Sequence, residues 1–298
     1  MRVAVTGASG LIGSALVAAL RGRGDEVTEL SRSTNWPDPK AAPPPADVLA
    51  GRDAVVHLLG EQIAQRWNDD AKREIRDSRV LSTRNLVSAL GELPDAERPK
   101  VLVSQSGAGW YGHRGDERLD ESRPAGDDFL ARLSADWEAE ARRAEELGVR
   151  VVVNRTGVVL SPSGGALAKM LPFFKLGIGG PVAGGKQYVP WIHLDDVVGA
   201  ILFELDTEAA SGPVNVTAPE PVTNRELSKA LGRVLKRPAV APVPALAVKA
   251  LYGEMAEIVT TGQRAVPARL TELGYAFRWA RVEDALRHAT ASAGSTPR

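Results

Sequence analysis

Three glycines spaced three apart, Gly7, Gly10 and Gly13, follow directly on a short apolar run and open an amphipathic segment. Val3 and Val5 mark a strand, and Leu11, Ile12, Ala15, Leu16, Ala19 and Leu20 recur at helical spacing after the turn. Each glycine has its own task there. Gly7 permits the tight reversal, Gly10 lets backbone approach a ligand, and Gly13 lets helix pack closely on strand. The open N–H groups and positive dipole end of the helix then form a seat for linked phosphates. In this strand–turn–helix setting the spacing predicts a dinucleotide cradle that also includes Ser9, Leu11 and Ile12. A P-loop is excluded, because no Gly-Lys-Ser or Gly-Lys-Thr follows.

The rest of the chain alternates between the two periodicities. Strands are expected at Glu26 to Leu30, Ala54 to Leu59, Lys100 to Ser104 and Val151 to Leu160. Helices are expected from Asn68, as cap, to about Leu90, from Asp127 to about Glu146, and from Asp196 to Leu205 with Asp195 as cap. The run PDPKAAPPPAD from Pro37 is too rich in proline for a helix or an inner strand. This order predicts an α/β protein, a Rossmann-type doubly wound parallel sheet with a smaller, mostly helical C-terminal lobe. The expected division is 1–160 plus 191–218 for the dinucleotide-binding domain and 161–190 plus 219–298 for the substrate-side lobe. A tail from Ala289 is expected to fray.

Composition narrows the partners. Lys plus Arg and Asp plus Glu both number 37, so no broad charge draws the chain to nucleic acid or anionic lipid. No apolar run approaches the roughly 18 residues of a membrane span. The absence of cysteine excludes disulfides, thiolate catalysis and Cys-ligated metals, and no histidine spacing suggests a metal site. The opening residues lack a signal-peptide layout, and a cytoplasmic setting is expected.

The end of the second strand addresses the choice of cofactor. An acid there would bind a ribose 2′-hydroxyl and repel a 2′-phosphate, but this chain has Ser31, Arg32 and Ser33. A guanidinium pairs well with phosphate. Such a charge-assisted bond contributes about 1.5–3 kcal/mol, a preference for NADP(H) of about ten- to a hundredfold.

The strings TGASGLIG, VVHLLG and STRNLVSAL resemble an extended short-chain dehydrogenase/reductase. More narrowly, HLLGEQIAQRW, SQSGAGWYG, the stretch from Arg155 to Asp196 and LYGEMAEIVTTGQRAVPARLTELGY are similar to the atypical subgroup called the epimerase family. The resemblance runs from residue 1 to about 287. It implies that the backbone after that fold's fourth strand, here Leu58, Leu59 and Gly60 with Glu61 following, lies along the cofactor ribose. It also implies contacts from Glu74, Arg79 and Val159, and a homodimer as the family's common state.

Most short-chain dehydrogenases pair a serine with Tyr-x-x-x-Lys on a helix, the tyrosine exchanging a proton and the lysine lowering its pKa. Ser106 occupies the serine position. Taking Glu138 as the acid that follows the motif puts Leu130 at the tyrosine position and Ser134 at the lysine position. No Tyr-x-x-x-Lys occurs in the chain. Tyr111 and Glu61 are the remaining candidates for proton transfer beside Ser106, and His193 is read as structural. The glycine-rich segment Gly177 to Gly185, with Lys175, Lys186, Gln187, Tyr188 and Trp191 around it, is the expected substrate-side loop. Two readings stand: an NADP(H)-dependent oxidoreductase or epimerase acting on a small carbonyl or sugar-nucleotide-like substrate, and a cofactor-binding protein that does not turn over.

Overall fold

The computed structural model describes residues 1–292. Its strands are β1 (Arg2–Thr6), β2 (Glu26–Leu30), β3 (Ala54–His57), β4 (Val101–Gly107), β5 (Arg118–Leu119), β6 (Arg150–Thr156), β7 (Val158–Leu160), β8 (Tyr188–Val189), β9 (Trp191–His193), β10 (Gly212–Val216), β11 (Val222–Thr223) and β12 (Arg264–Ala265). The helices are α1 (Leu11–Gly22), α2 (Asp69–Glu92), α3 (Phe129–Arg142), α4 (Gly165–Lys175), α5 (Leu194–Asp206), α6 (Asn224–Leu235), α7 (Ala245–Tyr252), α8 (Ala256–Thr260), α9 (Ala268–Glu272) and α10 (Val282–Ser292). None of them is long and apolar enough to cross a membrane.

Six strands form one parallel sheet in the order β10-β6-β4-β3-β1-β2. Alternate residues of each strand feed opposite faces, as the pleat requires. Val3, Val5, Val56 and Val103 pack with Leu16 and Leu20 of α1 and Ile201 of α5. Ala4, Val55, Leu102 and Val153 pack with Leu86 and Leu90 of α2 and Ala141 of α3. The doubly wound expectation therefore holds.

The connection after β2 contains no strand. Its prolines allow only a turn of 3-10 helix at Ala46–Val48, and Trp36 anchors it by burying its ring and donating Nε1–H to the Ala42 carbonyl. The chain then returns beside β1 as β3, so the direction of winding reverses between these two strands. Leu58 thus follows the third strand of the chain, not the fourth. Ligands bind at such a reversal, outside the carboxyl ends of the strands.

Other boundaries move for local reasons. The apolar run Val151 to Leu160 breaks at Gly157, where a Cβ would lie 1.9 Å from the Pro190 carbonyl oxygen; β6 stays in the main sheet and β7 pairs with β9. Asn68 caps α2 as expected, accepting from the Ala71 N–H at 2.8 Å. Asp195 does not cap α5. His193 does, its Nδ1 accepting from the Asp195 N–H at 3.0 Å. Ala289 does not begin an irregular tail, because α10 runs through it to Ser292, and 293–298 lie outside the described residues.

The C-terminal segment folds back on the sheet. β12 pairs with β5, and α10 packs along α6. Asp196 of α5 accepts the Arg278 and Trp279 N–H groups at 2.7 and 2.9 Å.

One buried acid gives this fold a pH signature. Glu204 of α5 is fully buried, accepts one bond from Asn154 Nδ2 at 2.8 Å, and has its other oxygen unpartnered. Burial raises its pKa to about 8. A raised carboxyl stabilises the fold below the unfolded value and loses that contribution as pH climbs toward the folded value. Glu204→Gln is therefore expected to stabilise the protein relative to wild type, with a gain in melting temperature that is small near pH 4.5 and grows toward pH 8. A gain that does not change with pH would contradict this.

Candidate functional site

The turn after β1 is built as its glycines demand. Gly7 has φ +66°, and a Cβ there would come within 2.8 Å of the Leu58 carbonyl oxygen. A Cβ at Gly13 would sit 2.2 Å from the Gly7 carbonyl oxygen, so any side chain would push α1 off the strand. Gly10 caps α1 with no side-chain partner for the first-turn N–H groups, and no acid lies in that turn. The helix end thus presents bare donors and a positive dipole end.

A cavity of about 510 Å³ opens from this turn, within the range of small-molecule sites. Gly7, Gly10, Leu11, Ile12 and Gly13 line one end, with Leu58, Gly60, Arg79 and Val159 beside them. Arg79 is buried. It donates to the carbonyls of Ile75 (3.0 Å) and Glu61 (2.8 Å) and lies over the Trp137 ring, while its Nε has no partner. Burial lowers its pKa to about 10, against the pull of Glu61, so it remains cationic at neutral pH.

Other expected contacts lie outside the lining of this cavity. Ser9 is exposed on the turn. Ser31 and Arg32 follow directly on β2, which pairs with β1; Arg32 is exposed, and the Ser31 hydroxyl bonds those of Ser33 and Thr34. Glu61 is partly buried beside the cavity, with its N–H on Ser78 Oγ. Leu59 packs on the other face of the sheet. Glu74 points away from Arg79, as five residues of helix require, and binds Lys40 Nζ at 2.7 and 2.9 Å.

Ser106 lines the middle of the cavity, but its hydroxyl proton is committed. It donates to Glu138 Oε1 at 2.8 Å. Glu138 and Arg155 form a bidentate pair, with Nε and Nη2 each 2.9 Å from a carboxylate oxygen and both side chains 2% exposed. The Trp110 ring covers the guanidinium at 3.8 Å. Tyr111 is fully buried outside the lining. Its hydroxyl donates to Asn215 Oδ1 at 2.7 Å and accepts from Arg155, and burial pushes it up to about 12. The expectation that Tyr111 exchanges a proton at the site finds no geometric support, because the loop turns its ring into the core. Leu130 and Ser134 line the cavity, one turn apart on α3. Ser134 Oγ has no hydrogen-bond partner among the described residues.

The glycine-rich segment is not a loop over the cavity. Cβ positions at Gly179 and Gly180 are filled by the Phe174 ring and the Ala241 carbonyl, and Asn224 Oδ1 accepts from the Val182 N–H. Trp191 is core, and Gln187 is spent on the Val182 and Val259 carbonyls. Only Pro190 of that region reaches the lining, and the far wall comes from residues that periodicity did not single out. These are Ile63 and Trp67 before α2, Asp128 and Phe129 at the start of α3, and Glu257, Ile258, Thr261 and Gln263 around α8. Ile63 and Trp67 lie in the family-like string HLLGEQIAQRW, and Glu257 to Gln263 in the string from Leu251, but neither resemblance carried a role for these residues.

The fold also gathers three groups that sequence spacing could not join. His193 Nε2 lies 3.2 Å from His288 Nδ1, Asp195 accepts from Trp279 Nε1, and the Trp279 ring stacks on His288. Burial holds His193 below the usual imidazole range, and the group fastens α10 to the start of α5.

With this geometry in view, comparison with known proteins defines the class. The chain belongs to the NAD dependent epimerase/dehydratase family, whose model matches residues 3–217. A domain of unknown function, DUF1731, matches residues 243–289. The chain is 42% identical to epimerase family protein MT2273 of Mycobacterium tuberculosis, over 98% of each chain. Among solved structures it is similar to human epimerase family protein SDR39U1 (isoform 2) with NADPH, at 36% identity and a TM-score of 0.89, over 98% of this chain and 99% of that one. It is also similar to a nucleoside-diphosphate sugar epimerase from Corynebacterium glutamicum, at 37% identity and a TM-score of 0.78, over 97% of this chain and 58% of the other.

The buried pair makes a sharp prediction. Glu138→Ala strands the Arg155 charge, and breaking such a pair costs about 3–5 kcal/mol. Urea unfolding should show a loss of that size; a loss within the about 0.5 kcal/mol typical of surface changes would refute the arrangement.

Proposed function

We propose that the chain binds NADP(H) in this cavity and acts as an atypical oxidoreductase or epimerase on a small substrate, in a cytoplasmic setting. The observation that carries the reading is the turn itself: backbone occupies the Cβ positions of Gly7 and Gly13, and bare helix N–H groups face a cavity of suitable size. NADPH in the human relative's structure supports it. The first turn of α1 would hold the pyrophosphate, with Ser9 at its rim. Arg32 would pair with the 2′-phosphate, with Ser31 beside it. The backbone at Leu58–Gly60, with Glu61, and the side chains of Arg79 and Val159 would flank the ribose and nicotinamide. The unpartnered Arg79 Nε is a donor without another use. Glu74 would act from the same helix only after releasing Lys40.

When bound, the nicotinamide supplies or accepts hydride. The chain must manage the proton. Ser106 has given its hydrogen to Glu138, so its oxygen accepts from a ligand rather than polarising a carbonyl. Ser134 Oγ, unpartnered at the former lysine position, is the protic group that can relay a proton there, and Leu130 keeps water off the adjacent wall. The second reading, a binder that does not turn over, is favoured by that same leucine. Oxidation of bound NADPH in the presence of substrate, followed by absorbance, separates the two.

Domain boundaries follow the same proposal: 1–160 plus 191–218 around the cofactor, 161–190 plus 219–298 toward the substrate. Arg32→Ala is expected to weaken NADPH binding about ten- to a hundredfold while leaving NADH binding unchanged. Equal losses for both, measured by calorimetry, would remove the 2′-phosphate role. Gly13→Val should abolish both.

A further inference from the structure

The cavity beyond Ser106 offers a ligand acceptors and apolar surface, and almost no free cation. Its charged lining residues are Arg79, Asp128 and Glu257. Arg79 is pinned by two backbone carbonyls at the Gly60 end, on the cofactor side. Glu257 projects from α8 with its carboxylate exposed and without a partner among the described residues. Asp128 spends one oxygen on the cap of α3. Gln105 turns its Nε2 to the Ser106 carbonyl and leaves Oε1 buried and unpartnered. Ser106 Oγ is an acceptor for the reason already given.

Of the nearby basic side chains, Arg66 donates to the Ala250 and Leu251 carbonyls, Lys169 to the Ala64 carbonyl and Lys72 pairs with Glu254, while Arg264 donates to the Asp116 carbonyl at 3.4 Å and keeps its Nε buried and unpartnered. The walls between these groups are flat and greasy. Trp67 and Phe129 meet edge to face at 5.1 Å and pack in one cluster with Ile258 and Trp137.

Resting on the cofactor reading above, we infer that the substrate is a flat, apolar molecule that carries amine or hydroxyl donors and no phosphate, its ammonium held by Glu257. A nucleoside diphosphate sugar brings two negative charges, and phosphate recognition uses arginine or lysine forks. Here it would meet two carboxylates, while the unpartnered Nε atoms of Arg79 and Arg264 are sealed from solvent and present no open fork to a phosphate. An aromatic amine instead finds aromatic walls, a carboxylate and the Ser106 oxygen as acceptor.

The test uses the NADPH complex of the full chain and calorimetry with three probes: tryptamine, its carboxylate counterpart indole-3-acetate, and UDP-glucose. Tryptamine should bind saturably, about tenfold or more tighter than indole-3-acetate, since a charge-assisted bond separates them. UDP-glucose should bind more weakly than either. Glu257→Gln should erase the preference for the amine while NADPH affinity and melting temperature stay as in wild type. UDP-glucose binding more tightly than tryptamine, equal affinity for the two indoles, no saturable tryptamine binding, or a preference that survives Glu257→Gln would each overturn the inference. Failure to bind NADPH would instead strike the cofactor reading, and the two indoles compared on the cofactor-free protein would still decide the charge preference.

Discussion

The buried pair of Glu138 and Arg155 is the constraint around which the middle of the molecule is arranged. Two charges removed from water need each other and further hydrogen bonds to offset their desolvation. Arg155 ends β6 and Glu138 lies on α3, so the pair fixes the helix against the sheet. The remaining valences organise what surrounds them: Trp110 covers the guanidinium, Tyr111 and the Glu121 carbonyl accept from it, and Ser106 donates to the carboxylate. The chemical character of the cavity follows from this. A serine that elsewhere would donate to a substrate becomes an acceptor, and a tyrosine near the site is drawn into the core.

The two ends of the cavity are electrostatically unlike. At the β1 turn, helix N–H groups and Arg79 favour anions, and Arg32 follows the neighbouring strand. At the α8 end, carboxylates and aromatic rings favour the opposite. A polyanionic cofactor and a donor-bearing apolar ligand can share such a space without competing for the same groups.

Much of this was legible in the residues. The glycine spacing depends on close backbone approach, which the structure shows at Gly7 and Gly13. The inner strands were legible because burial on both faces writes continuous apolar runs, as at Ala54 to His57, whereas the edge strand β10, with Gly212, Pro213 and Asn215 in it, gave no such run. The strand from Val151 was misread as unbroken because Gly157 lies in an apolar run; only the approach of Pro190, more than thirty residues on by sequence, shows why it must break. The helix cap was assigned to Asp195 by propensity, while a buried histidine took the position through a tertiary network. The glycine-rich segment, expected as a substrate-side loop, packs away from the cavity, because glycine serves close packing as readily as mobility and composition does not separate the two. Glu257 and Gln263 were not seen because a cavity wall formed by a distant short helix leaves no periodic trace.

The matches at residues 3–217 and 243–289 suggest two modules joined in series. The pairing of β12 with β5 and the contribution of Glu257 to Gln263 to the cavity say otherwise. The tail is the second half of a vessel whose first half is the sheet. Recombination that swapped either part between relatives would have to carry over the matching rim as well.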